Sequence, residues 1–98
     1  MGSCNFITAE FGDSAQDAFE KAVRQAQHEN GHGGYTGTIA EKGSDGFVMI
    51  KKSDNVETGN LIEELFADDD PRISSKWGPA GCIDEGDGKF IFFGWASS

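Results

Sequence analysis

Two histidines one helical turn apart, with a glutamate beside the first, stand out in the segment His28-Glu29-Asn30-Gly31-His32. Inside an unbroken helix this spacing puts both imidazoles on one face, where they bind zinc while the glutamate acts as general base on a metal-bound water. Two features oppose that chemistry. Asn30-Gly31 is a helix stop signal, and the chain has only 2 histidines, so an acid such as Asp45 would have to complete the site. The expectation is therefore no metal and no cofactor. A zinc-dependent hydrolase built on His28 and His32 remains the third choice of function.

The same segment runs on as Gly31-His32-Gly33-Gly34-Tyr35-Thr36-Gly37-Thr38. Glycines expose amides, threonines donate hydroxyls and a histidine can carry charge. His32, Gly33, Gly34, Tyr35 and Thr36 are thus candidates for holding a small nucleotide-like ligand. The loop is no Walker motif, because it lacks G-K-[ST] and precedes a strand rather than a helix. It also follows a helix C-terminus, where the dipole disfavours anions. The competing reading is a connector in which Gly31 caps the helix, Gly33 or Gly34 takes φ > 0, and Tyr35 covers the core.

Acids supply the other candidate surface: Glu57, Glu63, Glu64, Asp68, Asp69 and Asp70. The chain carries 17 acids against 8 lysines and arginines, a net charge of −9. Such a balance repels phosphate backbones, and Lys51-Lys52 is too small a basic cluster to reverse it, so no direct nucleic-acid binding is expected. An acidic face fits instead a protein partner with a basic groove. Asp68-Asp69-Asp70 lacks the ligand spacing of an EF-hand. The aromatics Trp77, Phe90, Phe92, Phe93 and Trp95 would need lysines or arginines nearby to serve as a base-stacking platform. Their neighbours are Asp84, Glu85 and Asp87, so they read as core. Cys4 and Cys82 read as buried thiols in a reducing compartment. No run reaches the roughly 18 apolar residues of a membrane span.

The elements that must position these residues follow from periodicity. At 98 residues the chain is a single domain, spanning 1–98. Cys4 to Phe11 is a strand with an aromatic on each face, expected to be covered on both. Asp13 caps a helix over Ser14 to Glu29, whose stripe Ala15, Ala18, Phe19, Ala22, Val23 and Ala26 faces the core. Thr36 to Lys42 and Phe47 to Lys52 form a hairpin around the turn Lys42 to Gly46. A second helix begins at Asp54-Asn55, with Val56, Leu61, Ile62, Leu65 and Phe66 as its apolar side. Lys76 to Asp84 and Lys89 to Ala96 form the last hairpin, around Glu85-Gly86-Asp87-Gly88. The expected fold is α+β: an antiparallel sheet of about five strands with two helices on one face, in the order β-α-β-β-α-β-β. Phe19, Val23, Ile39, Val48, Ile50, Leu65, Ile83, Ile91 and Phe93 are the expected core.

Three segments carry a resemblance: Gly31 to Lys42, Trp77-Gly78-Pro79-Ala80-Gly81-Cys82-Ile83, and Phe92-Phe93-Gly94-Trp95-Ala96-Ser97. Together they resemble a family of small bacteriophage-encoded proteins. The resemblance covers about half the chain and brings no site residues with it. What it implies is a phage accessory protein in the host bacterial cytoplasm, of the kind that binds host machinery, defence systems included. The leading expectation is therefore a small acidic binding protein with a host protein as partner. The alternative is a small-ligand binder using the glycine loop.

Overall fold

A computed structural model describes residues 3–30, 39–43, 45–52, 56–68, 70–73 and 78–97. The first strand, β1 (Ser3–Phe11), leads into helix α1 (Ala15–Asn30), then a 3-10 turn (Ile39–Lys42) and a short strand β2 (Phe47–Met49). Helix α2 (Thr58–Ala67) and the hairpin of β3 (Ala80–Gly86) and β4 (Lys89–Ser97) follow.

The fold is α+β, and the described residues form two helices and a four-stranded mixed sheet in the order β1-β4-β3-β2. Four expectations are corrected. Among the described residues there are four strands where five were expected, and the sheet is not purely antiparallel, because β2 runs parallel to β3. The element order is β-α-β-α-β-β. Nor do the helices share a face. Along β4, Phe90 and Phe92 join the cluster under α1 with Ala18, Phe19, Ala22 and Val23, whereas Ile91 and Phe93 join the cluster under α2 with Ile62 and Leu65. Successive strand residues point to opposite faces, so the sheet lies between the two helices. The apolar run Phe90 to Phe93 is what a strand buried on both faces requires.

The missing strand has a local explanation. Thr36, Gly37 and Thr38 lie outside the described residues, and Ile39–Lys42 is a 3-10 turn rather than strand. In a 3-10 turn residues i and i+3 eclipse. Ile39 and Lys42 are accordingly both buried, and Lys42 Nζ donates to the Gly78 carbonyl at 2.8 Å. The turn then closes through Gly46, whose N–H donates to Lys42 O and whose φ is 75°. Among the described residues no hairpin forms here, and β2 meets β3 through a crossover that contains α2, as parallel neighbours must.

Boundaries shift for stated reasons. Ser14 rather than Asp13 caps α1, its Oγ accepting the Asp17 N–H at 3.1 Å. The Asp17 carboxylate in turn accepts the Asp13 N–H at 3.0 Å. Helix α2 starts at Thr58 behind Glu57, later than the expected cap at Asp54-Asn55, a pair outside the described residues. Strand β3 begins only at Ala80, after Pro79. The last turn is as expected: Asp87 and Gly88 have φ of 57° and 81°, the pattern of a two-residue hairpin loop. Every expected core residue is buried except Val48, which is half-buried. Gly31, Gly33 and Gly34 lie outside the described residues.

Candidate functional site

Helix α2 is built to present acids. It buries Ile62 and Leu65, with Leu61 and Phe66 half-buried beside them. At 100° per residue, the positions of Glu57, Glu64 and Asp68 fall within about 40° of one another, and Glu63 lies about 100° from Glu64. All four are exposed. The helix sequence Thr58–Ala67 contains no lysine or arginine. Among the described residues these four acids make no ion pair. Glu57 sits at the N-terminus, where the helix dipole favours a negative charge, although its side chain makes no cap. Asp68 sits at the C-cap, where the dipole opposes it. Helix stability therefore does not account for the whole set.

Asp70 departs from the expected set. Its two carboxylate oxygens accept from Arg72 Nε and a terminal guanidinium nitrogen at 3.0 and 2.9 Å, and Oδ1 also accepts the Arg72 N–H at 2.9 Å. The side-chain and backbone hydrogen bonds from Arg72 hold the Asp70 carboxyl down at about 2. Asp70 thus closes the turn after α2 and is neutralised by Arg72. Asp69 lies outside the described residues.

A second cluster went unseen in the sequence. Lys52 Nζ donates to Thr58 Oγ1 at 3.0 Å and to Glu85 Oε2 at 2.9 Å. Glu85 occupies the irregular step of the β3–β4 ladder between Asp84 and Gly86, and such bulges re-aim a side chain. The Thr58 hydroxyl, and then Lys52, hold its carboxyl below the usual range. A carboxylate held ionised in a direct ion pair is a poor general base. The cluster joins the segment after β2, the start of α2 and the end of β3. Lys52 and Glu85 are 33 residues apart, so no local pattern announces the pair.

His28 is exposed on the last turn of α1, in a shallow depression with Lys21, Arg24 and Gln25. Among the described residues no three metal-ligating side chains come together. His32, Gly33, Gly34, Tyr35 and Thr36 lie outside the described residues, so both the ligand loop and the second histidine of the zinc pair do too. Among the described residues no helix is long and apolar enough to cross a membrane.

One surface was not anticipated. The expectation that β1 is covered on both faces is wrong. Phe6 packs under α1, but Ile7 and Phe11 on the opposite face are 60% and 59% exposed. Helix α2 reaches Ile91 and Phe93 on that face and stops short of β1. Alternation in the sequence shows that a strand has two faces; it does not show what lies over each.

No protein-family model, curated protein or solved structure matches the chain.

Proposed function

We propose that this protein is a small non-enzymatic binding module whose α2 face engages a basic surface on a protein partner. The observation that supports this reading is the placement of Glu57, Glu63, Glu64 and Asp68. They are exposed on an anchored helix, make no ion pair among the described residues, and include one acid at the end where the dipole opposes it. The net charge of −9 raises encounter rates with any basic groove. In the phage setting that the resemblance implies, a host defence protein with a basic nucleic-acid groove is such a partner, and the acids occupy the positions that phosphates otherwise take. Glu85 and Asp70 stand outside the binding set because Lys52 and Arg72 neutralise them.

The test is a charge reversal, with affinity measured by calorimetry against a partner captured from host lysate. The double variant Glu63→Lys, Glu64→Lys is expected to bind at least about 10-fold more weakly, and the wild-type affinity is expected to fall as salt rises. Full affinity in the double variant, or affinity indifferent to salt, would overturn the reading.

A further inference from the structure

Strand β1 is an edge protected only at its last residue, where the outward Phe11 N–H donates to Glu10 Oε1 at 3.0 Å and Lys21 Nζ of α1 donates to the Phe11 carbonyl at 3.5 Å. Natural edge strands are blunted by a lysine, a proline, a bulge or a covering element. The register from Ser3↔Ser97 to Phe11↔Lys89 runs without a bulge, and β1 contains no proline and no lysine. Among the described residues no strand pairs with its outer side. Its single charge, Glu10, lies on the α1 side with Phe6 and Thr8, while Ile7, Ala9 and Phe11 form an open apolar row on the other. On a molecule of charge −9 this is a nearly neutral strip.

We infer that this edge binds a second copy of the chain, with β1 pairing antiparallel to β1 across a two-fold axis at Ile7. That register overlaps the whole strand. It sets Ile7 against Ile7, Asn5 against Ala9 and Phe6 against Thr8, and opposes no like charges. The two Glu10 side chains lie six positions apart, about 20 Å, beyond the Debye length of about 8 Å at physiological salt. The axis stands perpendicular to the sheet, so the apolar rows of both copies fall on one side and form a continuous stripe between the two α2 helices. An edge of this length is about 30 Å long and about 10 Å deep with its side chains. Pairing two such edges covers about 300 Å² on each copy, about 600 Å² in all, the size of a weak contact that forms only as concentration rises. The outward N–H and C=O groups of Asn5, Ile7 and Ala9 also supply about six backbone hydrogen bonds across the axis, within the range that such an interface carries.

The salt response separates this contact from the proposed partner site. Two copies of charge −9 repel at a distance, so screening strengthens their association, whereas it weakens the docking of acids on a basic groove. Either reading can therefore fail without the other.

Sedimentation equilibrium of the wild-type chain, from about 1 μM to about 1 mM, tests it. The average mass is expected to climb from 10.5 kDa towards twice that value, and to climb at lower concentration when salt is raised. Ile7→Lys places two ammonium groups against each other at the axis, and is expected to weaken the dimer at least about 10-fold. Its thermal midpoint should hold, because Ile7 is 60% exposed in the single chain. A second variant reads the register directly. Copies of Ile7→Cys meet across the axis within disulfide reach and should cross-link much faster than Asp87→Cys, an exposed residue of the β3–β4 turn. A monomer across the whole range at high salt overturns the inference and leaves the edge to a strand from a different protein. A dimer indifferent to Ile7→Lys, with Ile7→Cys cross-linking no faster than Asp87→Cys, overturns it as well.

Discussion

Gly81 lies in β3 opposite Phe93, on the face that α2 covers. A Cβ at this position would fall 2.6 Å from Phe93 Cζ and 3.0 Å from Ile73 Cγ2. Both neighbours are buried, so neither can swing into solvent. Gly81→Ala is expected to cost roughly 1–3 kcal/mol by overpacking, which outweighs the about 0.4–1 kcal/mol that restricting the unfolded chain gives back. Urea denaturation should show a lower midpoint at unchanged slope, and an unmoved midpoint would mean that the Phe93 ring repacks without strain. The adjacent Cys82 is fully buried on the other face, where burial, followed by the charge of Asp84, pushes its thiol up to about 12. It stays protonated at neutral pH and fills space, as the sequence suggested; reactive cysteines need the opposite surroundings. Lys42 was not legible in this way. Within Glu41-Lys42-Gly43-Ser44-Asp45 it reads as a surface turn residue, yet it is fully buried against the Gly78 carbonyl. That contact spans 36 residues of chain and leaves no local trace.

At the scale of elements, α1 was the most legible because its apolar stripe is long and its small residues leave room for the sheet. Phe19 is the exception in size, and it anchors the helix. Its ring centroid lies 5.0 Å from that of Phe47 and 5.5 Å from that of Phe92. Phe19→Ala is expected to cost roughly 3–5 kcal/mol. A chemical-denaturation loss below about 1 kcal/mol would mean that this face of the helix does not carry the core. The strands were less legible. The alternation from Phe47 to Lys52 is continuous, but β2 has only three residues before the chain turns towards α2. Parallel pairing of β2 with β3 leaves no signature in so short a run, because the crossover rather than the strand decides it. Of the proposed binding surface, the exposed acids were legible as the polar side of α2. The capture of Asp70 by Arg72 was not, since an i, i+2 pair depends on the turn that brings it together.

Seen whole, the molecule is a sheet between two unlike helices. One face meets α1, which carries cations and acids together. The other meets α2, which carries acids alone, and leaves the β1 row open. The sheet is also held by its outermost segments of chain. Strand β1 pairs along its full length with β4, and Ser3 stands opposite Ser97. The longest ladder of the fold can form only after nearly the whole intervening chain has been gathered in. Linking residue 98 back to residue 1 through a few glycines and serines would turn that ladder into an ordinary hairpin. The closed chain should then gain on the order of 2–4 kcal/mol from the reduced freedom of its unfolded state. If β1 and β4 meet in the folding transition state, stopped-flow refolding should quicken while unfolding keeps its parent rate. Closure late in folding would show the reverse: slower unfolding, with the refolding rate unmoved. In the first case the connectivity of the chain, rather than any contact within it, sets how fast the native state is reached.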